Sequence, residues 1–230
     1  MKKLLFAALL FAHPLPAAEA GDGVVIFDGT SLEGWDFEAG GWVIEEDGSL
    51  TCRMKDFEAD DGSVTPRGMG YIWTKQEYGD FELTLSYKLS EAANTGVFYR
   101  SEKSDPVHRG SEVQLVDNVG FQKLHGAKDV RKLNGSFYEG KGPEADPANP
   151  VGQWNTLTLK CVGPRVTCQI NGVQVFDVDV DDWPEVGKNP DGTTNKFKVA
   201  IKDKPRKGHI GLQNHGQVVW FKDIRVKSLD

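Results

Sequence analysis

The hydrophobic and polar positions of this chain alternate in short runs and do not recur with a helical period. WVIE, SLTCRM, YIWT, FELTLSYKL, TGVFYR, SEVQLVD, WNTLTLKC, RVTCQI, VQVFDV, HIGLQ and VVWFKDIRVKSL follow one another with turn-forming residues between them. Alternation of this kind marks strands with one face in a core and the other toward solvent. Asn171-Gly172, between RVTCQI and VQVFDV, is a strong signal for a two-residue hairpin turn. The pattern predicts an all-β sandwich and not a chain of βαβ units. Residues 139–153 and 181–207 carry too much Gly, Pro and charge for central strands. Insertions of that length in a compact domain usually serve function or are mobile.

Three of the strands place polar groups together on one face. In SEVQLVD, Val113 and Leu115 point one way while Glu112 and Gln114 point the other, about 7 Å apart along the chain. In NTGVFYR, Asn94, Gly96, Phe98 and Arg100 share a face opposite Val97 and Tyr99. In HIGLQNHG, His209, Gly211 and Gln213 alternate against Ile210 and Leu212, with Asn214 and His215 at the end. If these strands are neighbours in one sheet, Glu112, Gln114, Arg100, Gln213 and His215 form a concave polar floor. Such a floor suits a hydroxyl-rich ligand, with the Glu112 carboxylate paired to Arg100.

Composition changes the picture mainly by locating the chain. The first twenty residues have a basic start at Lys2 and Lys3, an apolar run from Leu4 to Ala12 and the small-residue ending Ala18-Glu19-Ala20. This reads as a signal peptide over residues 1–20, its apolar run too short to span a bilayer, and it implies a periplasmic or secreted protein. The remainder, residues 21–230, suits one all-β domain. Loss of two lysines and one glutamate with the leader takes the formal charge from -7 to -8. An acidic chain without a basic block is a poor partner for nucleic acid or, after leader cleavage, for an anionic membrane.

Three cysteines are too few for a disulfide framework. Cys161 and Cys168 flank the Gly163-Pro164 turn of KCVGPRVTC and are expected to face each other, as a disulfide or as two buried thiols; Cys52 reads as a small core residue. His108, His125 and His209 lack metal-ligand spacing. No cofactor signature is evident, and a divalent cation is left open. Asp117 is a binding candidate, although Asp-Asn at a strand end is also ordinary turn chemistry. Tyr138 and Trp183 are candidates to stack on a sugar ring. Trp35, Trp42, Trp73, Trp154 and Trp220 read as packing between the sheets, and residues 198–207 as a solvated surface.

Several blocks, in order, resemble the 3-keto-disaccharide hydrolase family. They are FDGTSLEGW, YGDFELTLSYKL, NTGVFYR, SEVQLVDN, GQWNTLTLKCVGPRVTCQINGVQV and HIGLQNHGQVVWFKDIRVKSL, covering the chain from about Phe27 to Leu229. The resemblance implies a concanavalin A-like jelly roll with a groove on its concave face, and action on glycosides whose sugar is oxidised at C3. Gly135-Ser136-Phe137-Tyr138 stands where the family has a Gly-aromatic-Tyr element. The family's frequent Gln-Asp-His-Gly is here Gln213-Asn214-His215-Gly216.

A ketone at C3 acidifies the C2 hydrogen, so a base of modest strength can remove it and the enolate can expel the C1 substituent; water addition then completes a net hydrolysis. Such a route needs one base, one donor to the leaving oxygen and hydrogen bonds to the enolate. Glu112 or His215 can be the base, and Arg100 or Gln114 the oxyanion partner, with Asn94 and Gln213 as further substrate ligands. Direct hydrolysis is the competing route. Classical retention fits poorly: it needs carboxyl groups about 5 to 5.5 Å apart, whereas in a regular strand Glu112 and Asp117 lie about 17 Å apart on opposite faces. A non-catalytic carbohydrate-binding module and a protein-binding scaffold are the alternatives, because fold does not decide among them. The keto-sugar reading also implies functional coupling to a sugar 3-dehydrogenase that supplies the oxidised substrate.

Overall fold

The computed structural model describes residues 23–126 and 129–230. The leader read in residues 1–20 lies outside the described residues. In chain order the strands are β1 (Val24–Phe27), β2 (Trp35–Asp36), β3 (Trp42–Ile44), β4 (Leu50–Cys52), β5 (Met54–Glu58), β6 (Val64–Gly68), β7 (Ile72–Tyr78), β8 (Phe81–Leu89), β9 (Asn94–Ser101), β10 (Ser111–Val116), β11 (Asn155–Val162), β12 (Arg165–Ile170), β13 (Val173–Asp179), β14 (Gly208–Leu212) and β15 (Val219–Ser228). The larger sheet runs β13-β12-β11-β8-β15-β4-β3, with β1 also paired to β15; the smaller runs β10-β9-β14-β7-β2; β5 and β6 form a separate ribbon. All these pairings are antiparallel.

The alternation in the sequence explains the larger sheet directly. Phe81, Leu83, Leu85, Tyr87 and Leu89 of β8 are buried, and the residues between them are only partly so. The buried set packs with Val97, Tyr99, Val113 and Leu115 of the smaller sheet into one apolar cluster between the sheets. In contrast, β9 is buried along its whole length and β10 along all but its first residue. Their second face is therefore covered although it carries Asn94, Glu112 and Gln114, and buried polar groups of this density need partners or a purpose.

Four sequence expectations are corrected. Gly163-Pro164 closes a two-residue turn, so Val162 pairs with Arg165, Cys161 with Val166 and Cys168 with Leu159; the two thiols are not opposite each other and, like Cys52, are free and buried. A short helix, α1 (Asn118–His125), follows β10, because Asp117 caps it by accepting from the Val119 N–H at 3.2 Å. Of the tryptophans, Trp35 and Trp42 lie in the core, but Trp73 does not. Trp154 and Trp220 stand on the outer face of the larger sheet, each with the Lys88 ammonium over its ring at 4.8 and 4.5 Å. Residues 198–207 are not wholly solvated, since Ala200, Ile201 and Lys204 are buried.

The fifth correction concerns Arg100. Between Phe98, paired with Gly211, and Ser101, paired with His209, β9 carries one residue more than β14. This is a bulge, and Arg100 adopts φ 48° within it. The extra residue turns the Arg100 side chain off the polar face and toward the other sheet. There it donates from Nε to the Gly79 carbonyl at 2.8 Å, from Nη1 to the Gly163 carbonyl at 2.7 Å and from Nη2 to Asp80 Oδ1 at 2.7 Å. Arg100 thus ties the start of β8 and the β11–β12 turn together and does not pair with Glu112. Arg100→Ala is expected to lower unfolding stability by about 3 kcal/mol, because three acceptors lose a buried donor, while turnover per folded molecule stays within a few-fold. Urea denaturation alongside activity checks this; unchanged stability with lost turnover would return Arg100 to the chemistry.

Candidate active site

The concave face of the smaller sheet is built in two rows. In the first, Glu112 on β10 is the cross-strand neighbour of Phe98 on β9, Phe98 of Gly211 on β14, and Gly211 of Trp73 on β7. In the second, one period along the strands, Gln114 stands opposite Gly96, and Gln213 donates its backbone N–H to the Gly96 carbonyl at 3.0 Å. Tyr71 completes that row, its hydroxyl accepting from Gln213 Nε2 at 3.4 Å.

Two glycines decide how the large side chains lie. A Cβ on Gly96 would sit 2.0 Å from Glu112 Oε1, and one on Gly211 would meet the Trp73 ring at 2.3 Å. Glu112 therefore folds across Gly96 and the Trp73 indole across Gly211. Tyr71, Trp73 and Phe98 form an aromatic group, with ring centroids 5.4 Å apart for Tyr71–Phe98 and 5.7 Å for Trp73–Phe98. The result is a carboxylate at one side of an aromatic platform, a combination suited to a pyranose ring with C–H groups on one face and hydroxyls at its edge.

The insertions cover the β10 side. Segment 135–138 lies along the β10 edge: Gly135 N–H donates to the Gln114 carbonyl at 2.8 Å, Gln114 N–H to the Ser136 carbonyl at 3.1 Å, and Tyr138 N–H to the Glu112 carbonyl at 3.1 Å. This holds Tyr138 beside Glu112, with the Tyr138 hydroxyl accepting from Lys196 Nζ at 2.8 Å. Lys204 closes the near end, donating from Nζ to the Gly110 carbonyl at 2.7 Å and lying over the Phe197 ring. Glu112 is 7% exposed and Lys204 6%.

Burial and the neighbouring charges tune these groups. Burial raises the Tyr71 phenol above its ordinary value, and the charge of Glu112 adds to it. Burial, then Glu112 and Glu139, take Tyr138 up to about 12. Both phenols thus stay protonated near neutrality. Because each hydroxyl oxygen already accepts a hydrogen bond from a nitrogen donor, its own hydrogen is left to donate. Burial pulls Lys204 down to about 7, opposed by the attraction of Glu112.

The structure therefore brings together Glu112, Asn94, Gln114, Gln213 and Tyr138, and it sorts the other sequence candidates. Gln114 Nε2 is committed to Asn94 Oδ1 and the Thr95 carbonyl, both at 2.7 Å, so it braces the floor and is no oxyanion donor. His215 is exposed two residues beyond Gln213, at the rim. Asn214 beside it is buried, donates to the Arg53 carbonyl at 3.0 Å and sits over Gly68; an aspartate there could not make that bond. Asp117 is off the floor, its Oδ2 accepting from Ala92 N–H at 2.8 Å as well as capping α1. Trp183 is off it too, packed edge-on against Phe137 at 5.5 Å with its N–H on Asn189 Oδ1; it borders a separate cleft of about 460 Å³ with Asp129, Arg131 and Asp182.

Tyr71, Trp73 and Lys204 are missed from the sequence. For the first two the signal is present, since alternation in YIWT puts Tyr71 and Trp73 on one face and Ile72 on the other. For Lys204 there is none, because its burial depends on how a charged insertion folds back. Among the described residues no group of three or more His, Cys, Asp or Glu side chains is arranged to hold a metal ion.

Comparison with known proteins shows what the chain as a whole is similar to. A 3-keto-disaccharide hydrolase of Bacteroides thetaiotaomicron is 26% identical over 253 aligned positions, covering 99% of this chain and 85% of that protein. A Parabacteroides distasonis protein, solved at 2.00 Å under a provisional glycosyl hydrolase description, is 30% identical with a TM-score of 0.78, over 91% of this chain and 100% of that one. An endo-β-1,3(4)-glucanase of family GH16 superposes with a TM-score of 0.50 at 12% identity, over 86% of this chain and 85% of that one, and shares the jelly-roll fold alone. Residues 22–227 match the family described as the 3-keto-alpha-glucoside-1,2-lyase-like domain. The chain belongs to that family, and is a concanavalin A-like jelly roll and a glycosidase-like, glycoside-acting enzyme.

Proposed function

We propose that this protein cleaves 3-keto-glycosides, 3-keto-disaccharides among them, by elimination followed by hydration, with Glu112 as the base. The observation that carries this reading is a single buried carboxylate folded over Gly96 beside an aromatic platform. The commitment of Asp117 to a helix cap removes the carboxylate that the sequence offers as a partner for Glu112 in classical retention.

In this scheme Glu112 takes the proton from C2, and the C2–H electron pair passes into the C3 carbonyl to give an enolate. The enolate re-forms the ketone, a double bond forms between C1 and C2, and the C1–O bond breaks. The departing oxygen takes a proton from a neutral phenol, Tyr71 or Tyr138, whose raised pKa keeps that proton available at neutral pH. Gln213 Nε2 and the other phenol hydrogen-bond the enolate oxygen in this scheme. Water then adds its oxygen at C1 and its hydrogen at C2, and Glu112 releases its proton to solvent while the phenolate regains one, which restores both groups. Asn94 and Gln114 brace the floor, and His215 stands at the rim where the leaving sugar would emerge.

The remaining assignments rest on the sequence and on the chemistry. The leader pattern of residues 1–20 supports export, to the periplasm or beyond. The substrate must be made by oxidation at C3, which supports coupling to a sugar 3-dehydrogenase. The base and the donors are all side chains of this chain, so the scheme calls on no cofactor; a divalent cation, if bound, would polarise the C3 carbonyl.

Replacing Glu112 by Gln is expected to reduce cleavage of a 3-keto-disaccharide by about 10²- to 10⁴-fold, with the fold intact by circular dichroism; wild-type turnover in this variant would remove Glu112 from the mechanism. Gly96→Ala puts a methyl group where the carboxylate lies, so kcat should fall by about 10²-fold through displacement of the base. Retention of full kcat there would show that the carboxylate works from another position.

A further inference from the structure

Lys204 is a buried lysine that the scheme above leaves unused, and a lysine with 6% exposure needs a reason. Its ammonium donates to the Gly110 carbonyl at 2.7 Å, just before β10 and two residues ahead of Glu112, with the Val107 carbonyl at 3.5 Å. The Phe197 ring covers it at 3.3 Å from the centroid. The titratable groups that act on it are Glu112 on β10, Lys196 in the covering insertion and Asp105 in the β9–β10 loop. The same loop carries His108, whose Nδ1 accepts from Lys198 N–H.

We propose that Lys204 is a positioning residue that acts as the counter-charge to Glu112, keeping the carboxylate ionised and able to accept a proton. A carboxylate removed from water resists ionisation, and a nearby buried cation offsets that resistance. The attraction is mutual, since Glu112 opposes the loss of the Lys204 proton. Burial brings that loss to about 7. The counter-charge is therefore present below neutral pH, where a buried carboxylate would otherwise begin to protonate, and it is lost as the pH rises through about 7, where it is not needed. The hydrogen bond to Gly110 holds this cation in register with the strand that carries the base.

The proposal depends for its meaning on Glu112 being the base, but its test needs no substrate. The Glu112 carboxyl carbon is followed by ¹³C NMR against pH, and assigned by its absence in Glu112→Gln. In Lys204→Gln, which retains a donor for Gly110 but loses the charge, the Glu112 midpoint should rise by about one pH unit; in Lys204→Arg it should stay at or below the wild-type value. The acid limb of kcat/KM on a 3-keto-disaccharide should move with the carboxyl midpoint, whereas a purely structural lysine would lower stability without moving that limb. Identical Glu112 midpoints in wild type, Lys204→Gln and Lys204→Arg would overturn the proposal. If Lys204→Gln does not fold, reciprocity supplies the test: in Glu112→Gln the Lys204 midpoint, read from its side-chain carbon, should fall below the wild-type value, and an unchanged midpoint would overturn it. A wild-type protein inert toward keto sugars would contradict the reaction while leaving the carboxyl titration to decide on the pair.

Discussion

The site depends on the contact between the Glu112 carboxylate and the bare backbone of Gly96. An ordinary β10 side chain would stand up from the sheet. Without a side chain at Gly96, Glu112 can lie across β9, 7% exposed, with its oxygen where a neighbouring Cβ would otherwise be. The same device at Gly211 lowers Trp73 onto the floor. Together the two glycines turn the middle of a sheet into a shallow bed with a base on one side and an indole on the other. Everything around the bed then serves to keep a buried carboxylate charged and aimed: Gln114 and Asn94 brace its strand, and segment 135–138 seals the β10 edge. The insertion carrying Lys196, Phe197 and Lys204 shields it from solvent.

Burying a carboxylate costs free energy unless charge and hydrogen bonds offset it. In the proposed reaction that cost would also be what makes Glu112 useful. A carboxylate partly stripped of water is a stronger base than one in solution, and a C2 hydrogen next to a ketone is acidic enough for such a base. The chemistry therefore places most of its demand on the substrate and little on the protein. One base, neutral phenols that already accept a hydrogen bond, and an aromatic bed are sufficient. Asp117, committed to a helix cap, does not form with Glu112 the pair of close carboxylates that retaining cleavage of an unoxidised sugar needs.

The all-β class and the face shared by Glu112, Gln114 and Gln213 are legible in the sequence because strands with one buried face alternate with period two. The failures have definite causes. Arg100 follows the alternation of its strand in sequence but not in space, because a single extra residue in β9 inverts its direction and gives it to Asp80. Cys161 and Cys168 miss each other because a two-residue turn pairs Val162 with Arg165 and carries each cysteine past the other. The helix α1 has eight residues, too few for a visible period, and its start is marked only by Asp117, which reads equally well as a strand-end turn. Lys204 and the other buried parts of the second insertion depend on long-range covering of the floor, which local pattern does not encode. Tyr71 and Trp73 are within reach of the alternation, but Trp73 reads as packing between the sheets and Tyr71 carries no distinguishing mark, since an apolar run looks the same against a core and against a sugar.

The central claim is that cleavage begins with removal of the C2 proton. It is tested most directly by incubating the protein with a 3-keto-disaccharide and with the unoxidised parent sugar in heavy water, following the products by NMR. The account predicts cleavage of the keto sugar alone, with deuterium at C2 of the released 3-keto sugar. Cleavage with the original hydrogen retained at C2, or equal cleavage of the parent sugar, would contradict it.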